Sequence, residues 1–124
     1  MNAAATNGLQ RVLFVDRDGT LIEEPPDEQV DTLEKIRFLP GVFAALQRLV
    51  AAGFRLVMVT NQDGLGTASF PEDTFWPVHN LVMTSLQNEN IHFSEVHIDR
   101  TFPKDNAPIV KEKQIVTIFI VTDM

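Results

Sequence analysis

Three strand-like segments alternate with two helical segments, and this alternation constrains the fold more than any other feature of the chain. The first two strand-like segments contain short apolar runs, and apolar residues recur with helical spacing in the segments between the predicted strands. Strands are predicted at Val12–Val15, Arg55–Val59 and Glu95–Ile98, and helices at 40–53 and 78–88. This order implies right-handed crossovers and an α/β fold: a Rossmann-like parallel sheet with helices on both faces.

The first strand is followed directly by Asp16-Arg17-Asp18-Gly19-Thr20. Gly19 lets the backbone turn sharply, so both carboxylates should lie at the C-terminal end of the strand, where open α/β sheets place their chemistry. Two carboxylates one residue apart repel each other unless a cation lies between them or one of them holds a proton. Either outcome is useful to an enzyme, although Asp-x-Asp-Gly is also common in solvated turns.

A polar, glycine-rich loop begins at Thr60-Asn61, directly after the second strand. Because parallel strands end at the same edge of a sheet, we expect Thr60 and Asn61 to converge with Asp16 and Asp18 on one crevice. A hydroxyl, an amide and two carboxylates are groups that phosphoryl transfer requires: a nucleophile, an acid, and donors for the phosphate oxygens. Mg²⁺ would neutralise the remaining charge, since it prefers carboxylate and phosphate oxygens.

Composition argues against several other classes of protein. The 124 residues suffice for one domain with a real core but are fewer than in most complete α/β enzymes. A net charge of −7 argues against nucleic acid or an anionic membrane as partner. The chain has no cysteine for a disulfide or a thiolate metal site. Met1–Gln10 lacks the apolar core of a signal peptide and no run is long enough to span a membrane, so we expect a cytoplasmic protein.

Two segments resemble motifs of the haloacid-dehalogenase superfamily of phosphohydrolases. Phe14–Ile22 resembles the first motif, and Val59–Gln62 resembles the second. Further segments resemble the histidinol-phosphate phosphatase domain, which forms the N-terminal half of a bifunctional histidine-biosynthesis enzyme. These segments are Glu24-Pro25-Pro26, Val30-Asp31, Asn61–Thr67 and Ser69-Phe70-Pro71. The resemblance covers about Arg11 to Pro108 and favours this family over its sugar-phosphate relatives.

The resemblance implies a haloacid-dehalogenase-like fold and a magnesium-dependent phosphatase for L-histidinol phosphate, a small phosphorylated metabolite. Asp16 would be the nucleophile that forms an aspartyl-phosphate, Asp18 would be the acid/base, and Thr60, with Asn61 beside it, would bind the phosphate. Mg²⁺ would be held by the Asp16 side chain and the Asp18 main-chain carbonyl. Lys111 stands where the family supplies a charge-balancing lysine, and a solvated lysine is its alternative role. Alternative functions are a phosphatase for another small monoester, such as a sugar phosphate, and a noncatalytic fragment.

The C-terminal region departs from the family pattern. We divide the chain into an N-terminal tail at 1–10, a phosphatase core at 11–108 and a divergent segment at 109–124. Ile115–Val121 is typical of a buried strand, and Asp123 imitates a metal ligand of the family's fourth motif. This strand follows Lys113 almost at once, which is too close for the parallel crossover that the family uses. The sequence therefore predicts truncation or alteration after Pro108, and Asp123 is either a metal ligand or a solvated aspartate.

The same region bears on zinc and on further domains. Some relatives bind structural zinc here through cysteines and a histidine, whereas this chain has Asp99, Thr101, Ala107 and Ile109 at the aligned positions. We therefore expect no zinc. The resemblance also implies a dehydratase domain in the full-length relative.

Several aromatic side chains and histidines allow two interpretations. His79 either reaches the substrate or packs against its neighbours. Phe75 and Trp76 either line a pocket or close the core, and we favour the core. His92 and His97 are expected to be structural, since the three histidines lack the spacing of metal ligands.

Overall fold

The computed structural model describes residues 11–100 and the backbone of residues 118–122. In this part of the chain the strands are β1 (Arg11–Asp16), β2 (Phe54–Asn61), β3 (Phe93–Asp99) and β4 (Ile118–Thr122). They form one sheet in the order β3-β2-β1-β4. The pairings of β1 with β2 and of β2 with β3 are parallel, whereas β4 runs antiparallel to β1. The predicted α/β fold with parallel strands is confirmed.

Two α-helices form the crossovers between the parallel strands. They are α1 (Val42–Ala51), which connects β1 to β2, and α2 (Glu72–Asn88), which connects β2 to β3; a short 3-10 helix (Leu33–Lys35) precedes α1. Within the described residues, no helix combines the length and the apolar character that crossing a membrane requires.

Both helices contribute to the same core cluster. Leu13 of β1 and Leu56 of β2 are register partners, and the buried cluster that contains them also includes Leu46 of α1 and Val82 of α2. The described helices therefore cover one face of the sheet, where we predicted helices on both faces. The reason is topological: two right-handed crossovers that proceed in the same direction along a sheet place their helices on the same side.

The second helix begins six residues earlier than predicted, at Glu72 instead of Val78. Pro77 was interpreted as a first-turn residue but lies inside the helix, where it removes one main-chain hydrogen bond. Burial of Phe75 stabilises the extra turns through tertiary packing, and Trp76 Nε1 adds a hydrogen bond of 2.7 Å to Glu72 Oε1, one turn earlier in the same helix. Packing therefore outweighs the local preference of proline.

The C-terminal strand is present but runs in the opposite direction to the one that the crossover argument assumed. We predicted a strand at Ile115–Val121, and β4 is described at Ile118–Thr122. An antiparallel return needs no helical crossover, so the short spacing after Lys113 does not prevent this strand from pairing with β1. Lys111 and Asp123 lie outside the described residues.

Candidate active site

The described candidate residues lie at the C-terminal edge of β1 and β2. Asp16 is the last residue of β1 and pairs in register with Val59, while Thr60 and Asn61 are the last two residues of β2. Asp18 lies two residues beyond the end of β1. The structure thus places these residues at one edge of the sheet, as the parallel topology predicted. Thr60 is buried and Asn61 is exposed.

The turn after β1 fixes the backbone around both aspartates. The Arg17 main-chain N–H donates to Asp16 Oδ1 at 2.8 Å, and the Gly19 N–H donates to the Ile22 carbonyl at 2.7 Å. Gly19 has a φ of 88°, a conformation that residues with a Cβ adopt only with strain. The predicted sharp turn at Gly19 is therefore present.

Asp18 has a buried carboxylate with donors on both oxygens. Arg17 Nε donates to Oδ1 at 2.6 Å, and Arg17 Nη2 donates to Oδ2 at 3.3 Å. Gln62 Nε2 donates to Oδ2 at 3.1 Å. The Asp18 side chain is only 8% exposed, so the two donor residues fix its orientation.

Gln62 connects the two halves of the site. Its side-chain amide donates to Thr60 Oγ1 at 3.0 Å as well as to Asp18, and its main-chain N–H donates to the Asp99 carbonyl at the end of β3. Because Thr60 Oγ1 accepts the bond from Gln62, its own hydroxyl hydrogen can be donated to a phosphate oxygen. One buried amide therefore brings the candidate acid and the candidate phosphate ligand together.

Behind Asp18 lies a buried group of cationic and aromatic side chains. Arg17 is fully buried, its Nη1 lies 3.2 Å from His79 Nδ1, and its guanidinium carbon lies 5.2 Å from the centre of the Phe75 ring. His79 stacks on Phe75 with 5.3 Å between ring centroids. Burial, followed by the nearby Arg17 charge, lowers the pKa of His79 to about 4.

These contacts answer the alternatives that the sequence left open. His79 is buried and packs against Arg17 and Phe75. Phe75 belongs to a core cluster with Leu65 and Phe70, as we favoured, whereas Trp76 is 36% exposed.

The remaining histidines lie away from this buried group. His92 is exposed, and His97 bonds to Glu95 on exposed positions of β3.

Sequence reasoning missed Arg17 and Gln62 as parts of the site. The signal for Arg17 was its position between two aspartates, because a cation there offsets the repulsion between the two carboxylates. Gln62 carries a signal of alternation: Met58 and Thr60 of β2 point to the buried side, and a period of two extends this side to Gln62.

The oxygen atoms at the strand edge are suitable ligands for a hard cation such as Mg²⁺. The Asp16 carboxylate and the Asp18 main-chain carbonyl offer oxygen ligands, which Mg²⁺ prefers, and Mg²⁺ usually keeps several waters and takes only one or two carboxylates. Among the described residues, no group of three or more histidine, cysteine, aspartate or glutamate side chains could hold a metal ion. A cation held by these two oxygens would take its remaining ligands from water and phosphate.

The fold and the strand-edge site define a class of protein. The solved D,D-heptose bisphosphate phosphatase of B. bronchiseptica, complexed with magnesium and phosphate, matches with a TM-score of 0.67 and 25% identity over 77% of this chain and 53% of that chain. A candidate HAD-like phosphatase from Mesorhizobium loti matches with a TM-score of 0.62 and 25% identity over 80% of this chain and 46% of that chain. No family model matches. The chain has the fold of the haloacid-dehalogenase-like phosphatases.

Sequence similarity narrows this class. The histidine biosynthesis bifunctional protein HisB of Spirosoma linguale is 56% identical over 101 residues, which are 80% of this chain and 26% of that protein. The HisB proteins of Bacteroides fragilis and Stenotrophomonas maltophilia are 54% and 50% identical over 84% and 81% of this chain, and over 28% of each relative. The chain is homologous to one part of the HisB proteins and spans about a quarter of their length.

Proposed function

We propose that this chain hydrolyses L-histidinol phosphate, through an aspartyl-phosphate on Asp16, as a step of histidine biosynthesis. The observation that carries the proposal is the hydrogen-bonded group of Asp18, Gln62 and Thr60 beside Asp16, on a chain homologous to HisB. It combines a candidate nucleophile, acid and phosphate ligand at one strand edge.

In the first step, a carboxylate oxygen of Asp16 forms a bond to phosphorus while the bond between phosphorus and the ester oxygen breaks. The Asp18 carboxyl gives its proton to the departing oxygen, so the product leaves as a neutral alcohol. Without substrate, Asp18 accepts hydrogen bonds from Arg17 and Gln62. The second step returns this proton to Asp18.

In the second step, Asp18 acts as a base. Its carboxylate takes a proton from water as the water oxygen attacks phosphorus, and the bond from phosphorus to Asp16 breaks. Phosphate leaves and the Asp16 carboxylate is regenerated. The Thr60 hydroxyl donates to a phosphate oxygen in both steps, and its hydrogen bond with Gln62 holds it in place.

Asp16 and the Asp18 carbonyl would hold Mg²⁺, which, when bound, would supply positive charge against the phosphate oxygens. Lys111 would supply a second positive charge against the phosphate oxygens. The Asn61 amide, exposed at the end of β2, would bind the substrate. We expect the protein to act on a small metabolite in the cytoplasm, and we expect the dehydratase domain in the rest of the full-length relatives.

The test is phosphate release with magnesium over a panel that contains L-histidinol phosphate, sugar phosphates and a simple alkyl phosphate. Asp16→Asn removes the nucleophile, and Asp73→Asn, at an exposed position of α2, is the matched control. We expect L-histidinol phosphate to be preferred by about tenfold or more in kcat/KM, with activity lost in Asp16→Asn and kept in Asp73→Asn.

Two outcomes would favour the alternatives. The structural similarity to a heptose bisphosphate phosphatase makes a sugar phosphate the second candidate substrate, so preference for a sugar phosphate would support it. Release no faster than that of Asp16→Asn with every ester would indicate a noncatalytic fragment.

A further inference from the structure

The guanidinium of Arg17 is held from three directions. Its Nε and Nη2 donate to the two carboxylate oxygens of Asp18, its Nη1 lies 3.2 Å from His79 Nδ1, and its central carbon lies over the Phe75 ring, 5.2 Å from the ring centre. Arg17 is 0% exposed, so water does not solvate this charge. These contacts orient the guanidinium, and it in turn orients Asp18.

His79 can take part in this arrangement in only one protonation state. Arginine has five N–H donors and no acceptor, so the 3.2 Å contact is a hydrogen bond only when His79 Nδ1 carries no proton. The proton of the neutral ring is then on Nε2. The lowered pKa of His79 agrees with a ring that stays neutral at physiological pH.

Helix α2 brings two side chains to the guanidinium. Phe75 and His79 are four residues apart, so they lie on the same face of the helix, and their rings stack at an interplanar angle of 15°. The guanidinium carbon of Arg17 lies 5.2 Å from the centre of the Phe75 ring, and Nη1 of Arg17 lies 3.2 Å from His79 Nδ1. One helix therefore contacts the guanidinium through two side chains.

We propose that His79 is a positioning residue of the phosphatase reaction: it fixes Arg17, and Arg17 holds the Asp18 carboxyl in the orientation for proton transfer. This inference rests on the proposed role of Asp18 as acid/base. Charge compensation does not explain His79, because a neutral ring adds no negative charge beside Arg17. Packing alone does not explain it either, because a phenyl ring could stack on Phe75 equally well. The hydrogen-bond acceptor directed at Nη1 is what histidine adds.

The test compares two esters within each preparation of protein. An alkyl phosphate needs a proton on its leaving oxygen, whereas p-nitrophenyl phosphate has a good leaving group and needs little acid catalysis. The ratio of kcat/KM for the aryl ester to that for the alkyl ester therefore reports on Asp18. Because both rates come from one sample, the ratio does not depend on the folded fraction.

Two substitutions separate packing from hydrogen bonding at His79. His79→Phe keeps a stacking ring but removes the acceptor, and we expect it to raise the aryl-to-alkyl ratio about tenfold or more over the parent. His79→Asn loses the ring but offers an oxygen near the Nδ1 position, and we expect its ratio to stay within about threefold of the parent. His92→Asn, at an exposed position, is the control. His79→Gln, whose amide reaches past the Nδ1 position, replaces His79→Phe should that variant not fold.

A ratio in His79→Phe or His79→Gln that equals the parent's, in a series where Asp18→Asn does raise it, would overturn the inference. An unchanged ratio in Asp18→Asn would instead contradict the proposed role of Asp18 as the acid, on which the inference about His79 rests. Nitrogen-15 NMR of the His79 ring gives a readout that needs no activity. We expect protonated Nε2 and unprotonated Nδ1 at pH 7, and a proton on Nδ1 would overturn the inference whatever the kinetics show.

Discussion

Asp16 and Asp18 are separated by one residue but occupy different environments. Asp16 ends a strand and accepts a hydrogen bond from the Arg17 main chain, whereas the Asp18 side chain is 8% exposed and bound by Arg17 and Gln62 side chains. Different environments allow two carboxylates to take different roles. We therefore assign nucleophilic attack to Asp16 and proton transfer to Asp18.

Asp18→Asn tests this division of roles. The amide cannot donate a carboxylic proton, so we expect turnover of an alkyl phosphate to fall about a hundredfold or more. The loss should be much smaller for the first step with p-nitrophenyl phosphate. The measurement is single-turnover release of each alcohol, with circular dichroism to compare folding. Equal losses for both esters would contradict the assignment of Asp18 as the acid.

The lowered pKa of His79 predicts a dependence of stability on pH. Between pH 6.5, the ordinary pKa of histidine, and about pH 4, the unfolded chain binds a proton that the folded protein excludes. The unfolded state is thereby favoured, and the contribution of neutral His79 to stability falls as the pH is lowered through this window. We expect urea denaturation at pH 7 and pH 5 to show a larger loss for the parent than for His79→Asn. Equal losses would show that His79 titrates normally.

At the scale of secondary-structure elements, the turn after β1 positions both aspartates. Gly19 adopts a φ of 88° there, and a Cβ at this position would have Glu24 Oε1 as its nearest neighbour at 3.7 Å, an ordinary contact. The cost of Gly19→Ala is therefore backbone strain alone, which we expect to be about 1–3 kcal/mol.

Gly53→Ala is the matched control, since Gly53 has a φ of 97° and nothing within 4 Å of its added Cβ. We expect both variants to unfold at lower urea concentration, but only Gly19→Ala to lose phosphatase activity in the folded protein. Equal activity in the two folded variants would mean that the geometry of the turn does not matter to the site.

The elements themselves show where sequence reasoning succeeded. Strands β1 and β2 were predicted from short apolar runs, and β3 from a segment that alternates polar and apolar residues. The predicted start of α2 was wrong because it relied on Pro77, a local signal for a first turn. The burial of Phe75, which extends the helix, depends on the tertiary fold. The direction of β4 could not be predicted from the sequence either, since an apolar run shows the same pattern in a parallel and in an antiparallel strand.

The candidate site was predictable to a similar extent. Asp16, Asp18, Thr60 and Asn61 follow strands, and parallel topology alone brings strand ends together. Alternation along β2 could have placed Gln62 on the buried side, but the partners of its amide depend on how β1 and β2 meet in the tertiary fold. Arg17 and His79 meet across 62 positions of sequence, which no local pattern reports.

At the scale of the whole molecule, the antiparallel direction of β4 separates its C-terminal end, Thr122, from the candidate site. Thr122 pairs with Arg11, while Asp16 lies at the other end of β1. Five residues of strand correspond to roughly 16 Å. A metal ligand at this end of the sheet would therefore lie too far from Asp16 to bind the same cation directly.

Magnesium titration tests which residues hold the cation. We expect Asp16→Asn to weaken binding about tenfold or more, because it removes a carboxylate ligand. Asp18→Asn should change the affinity much less, since its proposed ligand is a main-chain carbonyl, and Asp123→Ala should leave the affinity within about twofold. Calorimetry measures all three against the parent. A large loss in Asp123→Ala would show that Asp123 is a ligand.

The central claim is that Asp16 carries a phosphoryl group during turnover. The most direct measurement is to quench the reaction of L-histidinol phosphate with acid, reduce the protein with borohydride, and sequence it by mass spectrometry. Borohydride converts an aspartyl-phosphate to homoserine. We therefore expect homoserine at position 16 after reaction with substrate, and no conversion in Asp16→Asn or in protein without substrate. Homoserine at position 18, or phosphate release without conversion at either aspartate, would contradict it.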